Sequence, residues 1–391
     1  MSNSKLEIKR VDINPKTKKK RFIYLDKKNN QIKDAETLTR LKKLNVPPAY
    51  TNVKIAATSN NYLQAIGIDD KGRQQYIYNK TFIDNQSRNK YCALKNFGQN
   101  ITKIRQDVRN VLLNDKPVTT KEKIIALVIY ILDNCKFRIG NIHYFNEHES
   151  HGVSTLQAKH LSFKSNNELN IEFIGKKGVN NQCILKDSVS IKLIKELSEL
   201  TKKKKFSNSF LFNYLDENNN SQLIKPTDIN NFLSEYHPDI TLKMFRTWGA
   251  NYIFLEEMIK NKNEFMNIFK IHSLNNNNNS KLIEDISISN NEKIRKKINR
   301  ESDKIIKEII KIIANKLHNT PTVSKKSYLD NNLVIIYLQN PKAFWKRIKD
   351  SKNINDLNII LVELLNQNCN KTKCKNKNCS NSNSNNSIIV E

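Results

Sequence analysis

The hydrophobic repeat changes period near Ser87, and that change limits what the chain can fold into. Before it, short apolar stretches, FIYL (22–25), NVKIA (52–56) and YLQAIG (62–67), alternate with clusters of Pro, Asn, Asp and Gly. Runs of that length and punctuation read as strands joined by turns. After it, Tyr91, Leu94, Phe97, Ile101, Ile104, Val108 and Val111 recur every three or four residues, as one face of a long helix requires. Further helices are expected over 120–135, 187–200, 227–236, 241–260, 292–318 and 339–366. A hairpin interrupts them: LSF (161–163) and LNIEF (169–173) run toward the turn Gly175-Lys176-Lys177-Gly178, with Cys183 and Ile184 on the return strand. The expected fold class is α+β, with a small β-rich N-terminal domain (1–85), a larger mainly α-helical domain (86–367) and a polar low-complexity tail (368–391). A chain of 391 residues is long enough for two such domains to bury separate cores.

Charge narrows the partner. Lys and Arg number 67 against 38 Asp and Glu, a formal charge of +29, which points to a polyanion and first to nucleic acid. The most apolar run, Ile124 to Leu132, is about half a membrane span, so no transmembrane helix is expected. The start, MSNSKLEIKR, does not resemble a secretory signal, so a reducing interior without disulfides is expected. Cys369, Cys374 and Cys379 are evenly spaced but lie in polar tail sequence, and no metal is expected there. The chain has no GxxxxGK[ST] loop, no HExxH and no acidic cluster for magnesium, so neither ATP nor metal is expected as cofactor.

A protein can cleave a phosphodiester without metal if it supplies a nucleophile, cationic donors for the nonbridging oxygens and an acid for the leaving oxygen. Four segments offer such residues in order: CKFRIGNIHYFNEHESHGVSTLQAKH (135–160), IEFIGKKG (171–178), KMFRTWGA (243–250) and LHNTPTVSKKSYLD (317–330). Together with VPPAY (46–50) and GRQQYIY (72–78), they resemble the type IB DNA topoisomerases, in the small form of poxviruses, giant viruses and bacteria. The resemblance runs from VPPAY to Tyr328 and implies a two-domain clamp on duplex DNA, acting as a monomer inside a cell, in a viral factory or in a virion.

Residue by residue, the resemblance makes Tyr328 the nucleophile that joins a 3′ phosphate and releases a 5′ hydroxyl. Arg138 and Arg246 would hold the scissile phosphate, a task suited to a planar guanidinium that keeps its charge. Lys176, directly after the turn glycine, would protonate the leaving 5′ oxygen, with Lys177 as the competing candidate. The poxvirus pattern has histidine nine positions before the tyrosine, where this chain has Asn319. An amide can donate one hydrogen bond to a phosphate oxygen but cannot carry charge; the neighbouring His318 is the other candidate. Arg73, Gln75, Tyr76, Tyr78, Tyr144 and Lys177 are implied DNA contacts. Strand alternation puts Arg73 and Gln75 on one face and Tyr76 and Tyr78 on the other.

Phe245 and Trp248, flanking Arg246, read as core residues that direct the arginine. Arg246 and Tyr328 are 82 residues apart, wider than the family pattern, so an inserted loop is expected around 259–300. Two alternatives remain open. A tyrosine recombinase uses the same residue types but has His where this chain has Lys243, and a DNA-binding protein could have lost catalysis.

Overall fold

The computed structural model describes residues 6–14, 20–165, 167–203, 205–206, 208–274, 292–348 and 354–373. The chain divides into two compact units, Met1–Lys90 and Tyr91–Glu391.

The first unit is built on a five-stranded antiparallel sheet. Its strands are β1 (Ile8–Asp12), β2 (Phe22–Leu25), β3 (Thr51–Ile55), β4 (Leu63–Ile68) and β5 (Gln74–Tyr78), in the order β2-β1-β3-β4-β5. Helix α1 (Ala35–Lys43) starts where the Asp34 carboxylate accepts the Thr37 N–H at 2.7 Å, the exchange that makes Asp a strong N-cap. Its Leu41 joins Ile8, Val53, Ile55 and Ala65 in a small core. The VPPAY segment is held from the sheet, because Arg10 donates to the carbonyls of Val46, Pro47 and Tyr50 at 2.7–2.9 Å. Around the β4–β5 turn, Gly72 takes φ +74°, a conformation glycine adopts freely. There the Asp69 carboxylate gathers the Lys71 and Arg73 N–H groups.

Helix α2 (Lys80–Leu113) spans 34 residues and begins earlier than the periodicity indicates. Asn79 accepts the Phe82 N–H at 2.7 Å, and the Phe82 ring packs on Tyr62 and Tyr78. The helical start is thus set by a cap and local aromatic packing, not by the apolar stripe that begins at Tyr91. That stripe, Tyr91, Leu94, Phe97, Ile101, Ile104 and Val108, is buried; it closes on Leu112, with Val111 only partly covered.

The second unit is mostly helical. After α3 (Lys121–Cys135) and α4 (Ile142–His148) comes a three-stranded antiparallel sheet of β6 (Leu161–Ser165), β7 (Glu168–Ile174) and β8 (Asn180–Leu185). Helix α5 (Ser188–Lys202), a small ladder of β9 (Asn213–Leu215) and β10 (Ser221–Leu223), and α6 (Pro226–Ser234) lead to α7 (Met244–Lys260). Helix α7 runs through the core, burying Phe245, Trp248, Phe254, Leu255 and Met258. Gly98 of α2 lets it approach: a Cβ there would lie 2.3 Å from the Trp248 ring.

Two expectations about the C-terminal half are corrected. The stretch 259–300 is not simply a loop, since α8 (Lys262–Leu274) and α9 (Glu292–Lys316) occupy its ends and pack on each other; residues 275–291 lie outside the described residues. Phe265 anchors α8 elsewhere as well, being fully buried against Tyr337 and Trp345. The single helix expected over 339–366 is instead α12 (Pro341–Ile348) and α13 (Ile354–Lys373), preceded by α10 (Pro321–Ser327) and α11 (Asn331–Gln339). Proline at 341 has no N–H for the preceding turn, and the Asn340 side chain caps the new helix through the Ala343 N–H. Helix α13 also enters the stretch read as tail; Cys374 and Cys379 lie outside the described residues.

Candidate active site

Tyr328 sits where α10 ends and is 8 % exposed. Two side chains fix its backbone segment. The Asn251 amide donates to the Tyr328 carbonyl at 2.9 Å and accepts the Asp330 N–H at 2.8 Å. The Tyr91 hydroxyl donates to the Leu329 carbonyl at 2.6 Å. Above the ring lies Arg246, its guanidinium carbon 5.1 Å from the centroid and its Nε donating to the phenol oxygen at 3.4 Å. Burial by itself would raise the Tyr328 pKa, but Arg246, by charge and hydrogen bond, outweighs it together with Arg138 and Lys243, and the net shift is downward. Opposite charge near a titrating phenol favours its anionic form.

Arg246 is 4 % exposed. It donates to the Lys136 carbonyl and, at 2.6 Å, to the Leu317 carbonyl. Burial lowers its pKa to about 10, which leaves it charged at neutral pH. Among the described residues no carboxylate pairs with Arg246 or Arg138. A buried guanidinium without a counter-charge is costly to maintain, and the site is electrostatically prepared for an anion.

The Leu317 carbonyl is available because of how α9 ends. His318 takes φ +50°, its N–H bonds the Asn315 carbonyl and the Asn319 N–H reaches back to the Ala314 carbonyl. That pair of bonds is a Schellman turn with histidine in the left-handed position usually given to glycine. Thr320 then caps α10, and Pro321 occupies its first turn. The turn brings both candidates for the fifth position into the site. The Asn319 side-chain Oδ1 accepts from Arg138, while its Nδ2 is buried without a hydrogen-bond partner. His318 lies against Phe137. Burial, then Arg246 and Arg138, push its pKa down to about 4, so it is neutral at physiological pH.

Arg138 arrives on the loop after α3. Lys136 turns that loop at φ +54° and Gly140 at φ +79°. Gly140 and Gly152 face each other so closely that a Cβ on Gly152 would lie 2.4 Å from Gly140. The Val153 and Ser154 N–H groups bind the Arg138 and Ile139 carbonyls at 3.0 and 2.7 Å. The arginine is therefore aimed by backbone contacts that need two glycines.

Lys176 stands at the exposed tip between β7 and β8, with Lys177 and Gly178 both at positive φ. Its ammonium lies 5.7 Å over the ring of Tyr144, itself an exposed residue of α4. The hydrogen bonds that link Arg138 to Asn319 and Arg246 to Tyr328 do not extend to Lys176. Its hairpin is nevertheless tied to their surroundings: Phe173 of β7 packs edge-on against Phe137 at 4.9 Å, and the His151 N–H binds the Ile174 carbonyl. A Cys135–Cys183 disulfide joins the end of α3 to β8, which corrects the expectation of no disulfides. Packing places the two Cα atoms 5.5 Å apart, within bonding range whatever the compartment.

In the other unit, Arg73 and Gln75 both bind the Asp69 carboxylate, whereas Tyr76 and Tyr78 stack on each other and Tyr76 is half-exposed. The expected two-faced strand is present. Arg73 is already ion-paired, so the tyrosine face is the freer one. Sequence reasoning missed Asn251 and Tyr91. A signal existed for Asn251, a polar residue inside the apolar run of α7, since a buried amide must find partners. Among the described residues, no three His, Cys, Asp or Glu side chains gather as a metal-holding group, and no helix is long and apolar enough to cross a membrane.

Two family models match the chain. Residues 79–352 match the family model "Eukaryotic DNA topoisomerase I, catalytic core", and residues 21–69 match "Bacterial DNA topoisomerase IB, N-terminal domain". The chain is 29 % identical to DNA topoisomerase 1B of Acanthamoeba polyphaga mimivirus over 84 % of its length and 88 % of the relative's. It is 25 % identical to DNA topoisomerase 1 of rabbit fibroma virus over 79 % of its length and 84 % of that protein. Against DNA topoisomerase 1B of vaccinia virus, Copenhagen strain, it is 30 % identical over 49 % of its length and 55 % of that protein. These matches set the recombinase alternative aside, and the chain belongs to the type IB DNA topoisomerase family.

Proposed function

We propose that Tyr328 is the nucleophile of this topoisomerase and that Arg246, Arg138, Asn319 and Lys176 serve it in distinct roles. The phenol oxygen attacks the phosphorus, the bond to the 5′ oxygen breaks, and a 3′ phosphotyrosine forms. Arg246, against both the ring and the hydroxyl, stabilises the developing phenolate and one nonbridging oxygen; Arg138 holds the other. The observation that carries the reading is a carboxylate-free pair of guanidiniums, that of Arg246 buried, beside a phenol whose pKa is lowered. The unpartnered Nδ2 of Asn319 supplies a neutral donor to the same phosphate, and His318, held neutral, lines the site without carrying charge. Lys176 donates the proton that the 5′ oxygen takes up as it leaves, and the proton lost by Tyr328 passes to solvent; Lys177 contacts the backbone nearby.

While one end is held covalently, the free 5′ end swivels about the intact strand and releases supercoils of either sign. The 5′ hydroxyl then attacks back. Bond energy stays in the phosphotyrosine, so the cycle needs neither ATP nor metal. Tyr144 and, in the other unit, Tyr76 and Tyr78 contact the duplex, with Arg73 and Gln75 arranged by Asp69. The enzyme acts as a monomer, a reading supported by the presence of all five proposed catalytic residues within Tyr91–Glu391. The viral relatives support action in a viral factory or virion.

Relaxation of supercoiled plasmid in EDTA without ATP tests this. Wild type should relax both supercoil signs, and Tyr328→Phe should relax neither. DNA binding by wild type with no nicking or relaxation would contradict the catalytic reading.

A further inference from the structure

Helix α9 carries a charged face that the proposed chemistry does not use. At about 100° per residue, Lys297, Arg300, Lys304, Lys307 and Lys311 fall within an arc of about 80°, and all five are exposed. The apolar side of the helix, Ile298, Ile306, Ile309, Ile310 and Ile313, is buried and lies opposite. Lys311 pairs with Glu308 at 2.7 Å, but Lys297, Arg300, Lys304 and Lys307 have no ion-pair partner among the described residues. The row from 297 to 311 is about 21 Å long at 1.5 Å rise per residue. Duplex DNA presents a phosphate about every 3.4 Å along each strand over that length.

The helix is also mechanically continuous with the site. Its C-terminal turn places Leu317, which binds Arg246, and Asn319, which binds Arg138. The far end of the basic row, Lys297, stands about 30 Å from Lys316 by helical rise, too far to serve the scissile phosphate. The α8–α9 pair occupies the extra length between Arg246 and Tyr328.

We propose that the Lys297–Arg300–Lys304–Lys307 face of α9 is a second duplex-DNA contact, separate from the site of cleavage, which holds flanking DNA by phosphate neutralisation. Charge complementarity selects a polyanion, and the rigid link to the site selects the DNA being cut. The proposal rests on the duplex-DNA reading of the function but not on the assignment of Tyr328.

The test replaces the four residues with Gln in the full chain. Gln has nearly the helix propensity of Lys and Arg, and circular dichroism checks that the fold is kept. A second variant, with Lys192, Lys195, Lys202 and Lys203 in and just after α5 changed to Gln, controls for removal of general charge. Affinity for a 40-base-pair duplex is measured across a salt series, and single-turnover adduct formation is measured on a short nicked duplex. The α9 variant should lower the log affinity against log salt slope by about 0.9 for each phosphate no longer neutralised, and the α5 variant should lower it less. Adduct formation by saturating enzyme on the short duplex should stay within about twofold of wild type, since no residue of the cleavage site is changed. An unchanged slope, or an equal drop in both variants, would overturn the proposal. Failure of wild type to form any adduct would contradict the catalytic reading while leaving the slope comparison valid.

Discussion

Arg246 has two tasks: it satisfies the Lys136 and Leu317 carbonyls, and it lies against the Tyr328 phenol. A lysine could reach one of these groups but cannot present a planar fork to them all. Arg246→Lys should therefore slow single-turnover adduct formation by at least about 100-fold, the range for losing a preorganised donor. Urea unfolding should show a loss of about 1–3 kcal/mol from the unpaired carbonyl. Asn251→Ala should also slow cleavage, because the amide orders the Tyr328 backbone, and its effect should fall on the rate at saturating DNA rather than on affinity. His318 gives a pH prediction with a definite sign. Its folded pKa, about 4, lies below the unfolded value of 6.5, so the unfolded chain binds more protons between them. Its contribution to stability is present above pH 6.5 and is lost as pH falls toward 4. His160, also pushed down to about 4 by burial and by His151, acts in the same window. Urea midpoints measured between neutral pH and about pH 4 should fall, and His318→Asn, which tolerates the left-handed backbone, should make the fall shallower. No difference between the two proteins would contradict the neutral, desolvated His318.

Among the helices and hairpins, periodicity makes the long helix and the Lys176 hairpin readable, because each buries one face along a local repeat. The start of α2 is not readable that way: it depends on the Asn79 cap and the Phe82 contacts. The break at Asn340-Pro341 carries a usable signal, since Pro cannot donate within a helix. The resemblance selects Arg138, Lys176, Arg246, Asn319 and Tyr328, and the fold joins Arg138 to Asn319 and Arg246 to Tyr328 by hydrogen bonds, with Arg138 also close enough to Tyr328 to act on its charge. What no local pattern can reveal is contact across the chain. The Gly140–Gly152 approach, the Asn251 clamp and the Cys135–Cys183 bond exist only after folding. Gly140→Ala tests the first of these. Position 140 needs φ +79°, and a Cβ there would lie 2.8 Å from the Gly152 Cα, so the Arg138 loop must shift, at a strain cost of about 1–3 kcal/mol. Cleavage should fall more than DNA affinity. Equal cleavage rates in the variant and wild type would show that the loop tolerates the shift.

Across the full chain the formal charge is +29; at the proposed cleavage site Arg246 is buried beside Tyr328, whereas Lys176 is exposed. Binding to duplex DNA should weaken with salt, log affinity falling by about 0.9 per phosphate neutralised for each unit of log salt. Cleavage by pre-bound enzyme should depend much less on salt, because Arg246 and Tyr328 are shielded from screening ions. The role of Tyr328 is decided by the identity of the covalent bond. Wild-type protein is incubated with a nicked duplex in EDTA, trapped with detergent, digested with protease, and the DNA-linked peptide is sequenced by mass spectrometry. One peptide is expected, joined through Tyr328 to a 3′ phosphate, with a free 5′ hydroxyl on the other strand end. A linkage through another residue, or to a 5′ phosphate, would refute the assignment.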